Sequence, residues 1–110
     1  MNIDKNTMES VYCDFTPVKD YFALRVHDNS MINYGIKENT ILICHKQRYA
    51  DNGDIIVGLF NGVQVVRFYK ELDNGNKFLL ACNNDFLPIQ ITDLDEMLFV
   101  GKVVEFKNFI

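Results

Sequence analysis

The stretch with the most chemical content is Leu24–Gly35, LRVHDNSMINYG. A β-prone run enters a polar turn, Asp28-Asn29, and delivers Ser30-Met31 just past it. A serine in that place can present its hydroxyl beside free backbone N–H groups. That is what a nucleophile and its oxyanion hole require, with Asn29 and Met31 as the flanking oxyanion region. The same serine can simply cap a short helical turn, since its hydroxyl satisfies orphan N–H groups there. Locally, both readings stand.

Other reactive residue types are scattered. Cys13, Cys44 and Cys82 are odd in number and form no CxxC pair. Neither a disulfide framework nor a zinc site is expected, and reduced thiols are the simpler reading. His45 follows Cys44, but strand neighbours point to opposite faces, so no metal site is assigned. His27, His45, Lys46 and Lys70 read as solvated or satisfied side chains. The acidic run Asp93–Glu96 lacks fixed ligand spacing and reads as a solvated loop. No cofactor is expected.

These residues must be positioned by short β-rich segments. Residues 21–27, 40–45, 54–60, 63–70, 77–82 and 97–106 read as strands. Three Asn-Gly pairs, Asn52-Gly53, Asn61-Gly62 and Asn74-Gly75, mark turns, because this pair readily takes positive φ. Asn61-Gly62 joins two strongly β-prone runs and predicts a hairpin. Residues 29–36 can hold one helical turn ended by Gly35. Asn83–Pro88 reads as a loop, since Pro88 disfavours a central strand. The Phe and Tyr residues lie in the β-runs and read as core and cross-strand pairs. The expected fold is mostly β, of twisted antiparallel sheets, sandwich or barrel-like, with at most short helical turns. Residues 1–20 read as an N-terminal arm and 21–110 as one domain.

Composition sets the outer limits. The chain has 110 residues, 48% of them hydrophobic, and 11 Lys plus Arg against 15 Asp plus Glu, a net charge of −4. That length and apolar content suit one domain with an ordinary core rather than disorder. The acidic balance argues against direct nucleic-acid contact or a base-stacking platform. No apolar run approaches a transmembrane length and the polar start lacks a signal-peptide core, so a cytoplasmic protein is expected.

The order of segments carries a more specific signal. Tyr21–Val26, Ser30-Met31, Gly35–Asn39, Gly53–Val57, Val66–Phe68 and the closing Phe99–Val104 follow one another at set intervals. This order resembles the LexA, UmuD and phage-repressor family, whose domain is a self-cleaving serine–lysine peptidase. There, a Ser-Met pair follows a strand like FALRV, then come a G-I-x-(D/E)-G-D segment, a G-D-(I/V)-V-V strand, a V-K-R-(L/F) strand bearing the lysine base, and a V-x-G-K-V-V strand. The resemblance spans residues 21–106. It implies a LexA-like C-terminal domain with Ser30 at the nucleophile position.

Two departures qualify that implication. Counted without gaps from Ser30, the lysine falls on Arg67. The base must be a neutral amine, which a lysine becomes when a dry pocket lowers its pKa. An arginine stays charged in proteins and cannot take the serine proton. The other departure concerns the cleavage site, which in this family is Ala-Gly or Cys-Gly upstream of the serine. Residues 1–29 contain neither pair.

The resemblance thus leads to the following expectations. The chain is a dimerisation and regulatory domain of a LexA- or phage-repressor-like transcription regulator, impaired in self-cleavage. DNA contact falls to a separate N-terminal domain, which the arm is too short to contain. The chain is either the C-terminal half of a longer repressor or a stand-alone protein. A homodimer is expected, with strand 97–106 as the candidate contact or else an ordinary buried strand. A RecA filament, and hence the SOS response, is a candidate partner; a membrane is not. The alternatives are an active self-processing peptidase using another base, a signal-peptidase-like enzyme, and a protein-binding module.

Overall fold

A computed structural model of the protein describes residues 20–108. Residues 1–19 of the expected arm, Cys13 among them, lie outside the described residues. Seven strands follow in chain order: β1 (Tyr21–Arg25), β2 (Ile41–Lys46), β3 (Ile55–Phe60), β4 (Val63–Glu71), β5 (Lys77–Leu80), β6 (Ile89–Ile91) and β7 (Met97–Lys107). One 3-10 turn, Ile32–Tyr34, lies between β1 and β2 and ends at Gly35 with φ 98°. The mostly-β antiparallel architecture matches the expectation. All strands join one continuous sheet in the order β1-β2-β7-β3-β4-β5-β6.

Most strand boundaries fall within two residues of those read from the sequence. β6 was not expected. It is three residues long, directly after Pro88, and turns Ile89 and Ile91 onto a core cluster while Gln90 is exposed. So short a run carries little periodicity to read. Among the Asn-Gly pairs, only Asn61-Gly62 has positive φ at both residues, 50° and 84°. That is the two-residue hairpin geometry, and it pairs Phe60 with Val63 across the turn.

β7 organises the sheet. Met97–Lys102 pairs with β3, and Gly101–Lys107 pairs with β2. Gly101 is paired on both sides, with Val57 and with Lys46. This bears on which part of β7 is free to serve as a dimer contact. Residues with neighbours on both sides have no hydrogen-bonding edge to offer, so the crossover at Gly101-Lys102 is closed to edge pairing. Within β7, Val103–Lys107 keeps a second edge open among the described residues, on the side away from β2.

Successive residues of β3 and β4 feed two cores, as the strand pleat requires. Ile55, Val57 and Val66 join Val26, Met31, Ile36, Leu42 and Cys44. Ile56, Val65 and Tyr69 join Leu79. The first core lies under the turn that carries Ser30.

Candidate functional site

The segment between β1 and β2 is held by its own polar groups. Val26 and Thr40 extend the β1–β2 ladder, with Val26 N–H donating to the Thr40 carbonyl at 2.9 Å. The Asp28 carboxylate then accepts the Ser30 N–H at 2.9 Å, the local turn that aspartate favours. Asn29 Oδ1 accepts the Glu38 N–H, also at 2.9 Å. The Ser30 carbonyl accepts the Cys82 N–H at 2.7 Å, tying this turn to the loop after β5. Met31, 1% exposed, anchors the segment in the core.

These contacts bury Ser30 completely. They also bring it to β4. Arg67 Nη1 donates to Ser30 Oγ at 2.7 Å and to the Val66 carbonyl at 2.9 Å. Ser30 Oγ in turn lies 3.4 Å from the Val66 carbonyl, its own acceptor. The ring of Phe86 covers the guanidinium, with its centroid 5.4 Å from Cζ, within cation–π range. Arg67 Nε is shut off from solvent and has no hydrogen-bond partner among the described residues. Burial pulls the guanidinium below its ordinary pKa, and the Asp28 carboxylate opposes that shift. The group remains a cation, because an arginine does not deprotonate in proteins.

The direction of these bonds limits the chemistry. A nucleophilic serine must give its proton to a base and keep a lone pair for attack. Here the guanidinium donates into that oxygen, and among the described residues the hydroxyl's acceptor is an amide carbonyl. An amide carbonyl is not a general base.

The other sequence candidates lie elsewhere. Lys70 is exposed, as its opposite side of β4 from Arg67 predicts. Lys46 and His27 are exposed. His45 packs edge-on against Tyr21 and pairs with Gln47 through Nδ1. None of the four hydrogen-bonds Ser30 among the described residues. Asn29 and Met31 flank Ser30 as scaffold and core residues. Asp93–Glu96 is a turn in which the Asp95 carboxylate caps Thr92 and meets Asn61. Sequence reasoning assigned no role to Asp28 or Phe86. The Asx-turn habit of an aspartate two residues before the serine was the available signal for Asp28. Phe86 had none, because its place depends on how the loop after β5 folds back.

The Peptidase S24-like family profile matches residues 2–104. The chain belongs to the S24-like peptidase family. LexA repressors are among its relatives. That of Carboxydothermus hydrogenoformans is 40% identical over 89 residues, covering 80% of this chain and 43% of the relative. That of Caldicellulosiruptor saccharolyticus is 39% identical over 92 residues, covering 83% and 43%. That of Oenococcus oeni is 41% identical over 93 residues, covering 77% and 41%. The chain therefore spans less than half the length of these curated relatives.

The family resemblance implies a lysine base, and its position in this chain can be counted in two ways. Counted from Ser30 it is Arg67. Matched letter by letter to V-K-R-(L/F), Val65–Phe68 puts the lysine on Val66. Neither residue is a lysine, and it is the Arg67 side chain that reaches Ser30 Oγ. No helix among the described residues is long and apolar enough to cross a membrane.

Proposed function

We propose that this chain is the C-terminal dimerisation and regulatory domain of a LexA- or phage-repressor-like transcription regulator whose self-cleavage is impaired. One observation carries the reading: Arg67 donates to Ser30 Oγ where an amine acceptor is needed. The S24-like match and the LexA relatives support the regulatory role. The net charge of −4 fits a half that leaves DNA contact to a separate basic domain. Pairing of two such domains would hold two DNA-binding heads at half-site spacing, so that the half-sites reinforce each other. The protein would act in the cytoplasm, with a RecA filament as a candidate regulator.

The test is incubation of a full-length version of the protein, with any upstream cleavage site, at alkaline pH, followed by mass spectrometry, beside the Ser30→Ala variant. The intact mass is expected to persist in both. Fragments that form in the parent and vanish in Ser30→Ala would overturn the reading.

A further inference from the structure

Asp28 sits where an active site of this kind could least accommodate a carboxylate. Its Oδ1 accepts the Ser30 N–H at 2.9 Å. In acyl transfer by a serine, the nucleophile's own N–H is a natural donor to the oxyanion that develops on the attacked carbonyl. Here that donor is already taken, and by a negative charge. An oxyanion forming there would meet an occupied N–H and a like charge together. The same carboxylate acts on position 67, where its field favours the charged guanidinium. On any amine placed there it would favour the protonated form, which cannot accept a proton.

The other groups packed around Arg67 do not counter this. Across β3 the register partner is Ile56. The loop after β5 brings Phe86 over the guanidinium, the Cys82 backbone to Ser30, and Asp85 exposed to solvent. Among the described residues Asp28 is the charged group whose field acts on Arg67.

We infer that Asp28 is a second, independent lock on Ser30, occupying its N–H, so that a lysine at position 67 alone does not make the site fully reactive. The inference rests on the reading of Ser30 as a silent nucleophile and adds a positioning residue to it. Occupying the N–H needs an acceptor at position 28, and the field on position 67 needs a charge. Asn keeps an acceptor without the charge, whereas Ala removes both.

The experiment follows labelling of Ser30 by a fluorophosphonate across pH. In that reaction Ser30 Oγ forms a bond to phosphorus, the P–F bond breaks, fluoride leaves and the serine proton passes to the amine. The proteins are the parent, R67K, R67K/D28N and R67K/D28A, each first checked for folding by circular dichroism. R67K is expected to label slowly and only at alkaline pH. R67K/D28N should shift the half-maximal pH down by about one unit or more. R67K/D28A should show the same shift and a plateau rate at least about tenfold higher than R67K/D28N, as expected when an oxyanion donor is freed. A merely structural role for Asp28 would leave the pH profile unmoved. Equal rates and profiles in R67K and R67K/D28A would overturn the inference, as would no labelling of folded R67K/D28A. Labelling of the parent at Ser30 would instead overturn the silent-nucleophile reading.

Discussion

The hydrogen bond between Arg67 and Ser30 runs from the guanidinium Nη1 into the serine Oγ at 2.7 Å. It joins the turn after β1 to β4 and reverses the proton flow a serine nucleophile needs. The juxtaposition itself is open to experiment.

The two ways of counting the base position make different predictions. Val66 is 5% exposed and packs with Met31, Val26 and Cys44. A lysine there should bury an amine in an apolar cluster and cost about 3 kcal/mol or more. Urea unfolding of Val66→Lys should therefore show a lower midpoint, without reaction of Ser30 with the fluorophosphonate. A Val66→Lys protein that stays as stable as the parent and labels at Ser30 would assign the base position to residue 66 instead.

Stability should fall steeply above about pH 9, the ordinary range of a thiol. Burial pushes the Cys44 thiol from 9.0 up to about 12. Burial, then Glu71, pushes Tyr69 from 10.0 up to about 12. Both groups hold their protons more tightly folded than unfolded. Their contribution is complete below the unfolded pKa and is lost as pH rises through the folded one. Each contributes up to about 1.4 kcal/mol per pH unit within its window. Denaturant titrations from about pH 8 to about pH 11 should show the decline, and Cys44→Ala should remove about one proton's share of the slope. An unchanged slope in Cys44→Ala would refute the assignment.

Gly101 is required where β7 passes from β3 to β2. A Cβ there would lie 2.8 Å from the His45 carbonyl oxygen and 2.8 Å from a Phe22 ring carbon. The backbone of β2 cannot yield without breaking its ladder. Gly101→Ala is expected to cost about 1–3 kcal/mol, read as a lower urea midpoint with an unchanged m-value. A midpoint equal to the parent's would show that β7 has room to shift.

If two copies pair, the open edge at Val103–Lys107 is one place where strand addition can occur. Val104 there is 49% exposed. Val104→Pro removes an N–H and disfavours added pairing. Sedimentation equilibrium should show a dimer for the parent and a weaker one for this variant. A dimer of unchanged affinity would move the interface elsewhere.

Much of this was legible in the residues themselves. The alternation in residues 63–70, the Asn61-Gly62 pair and the apolar run from Met97 specify strands and a hairpin through local sterics and patterning. Ser30 after a strand, and an arginine rather than a lysine at residue 67 on β4, likewise follow from residue type and order. That Arg67 cannot serve as a base follows from its chemistry alone, because a guanidinium stays charged.

The tertiary structure decided what depends on contacts between distant segments. It put β7 between β2 and β3, which closed part of the strand proposed for dimerisation. It folded the loop after β5 back over β4, bringing Phe86 onto Arg67 and Cys82 to the Ser30 carbonyl. It also aimed the Asp28 carboxylate at the Ser30 N–H and set its charge against Arg67. Residue types and their order determine which groups exist and which faces they prefer. Direction of a hydrogen bond, burial and the field of one side chain on another arise only when the sheet closes around them.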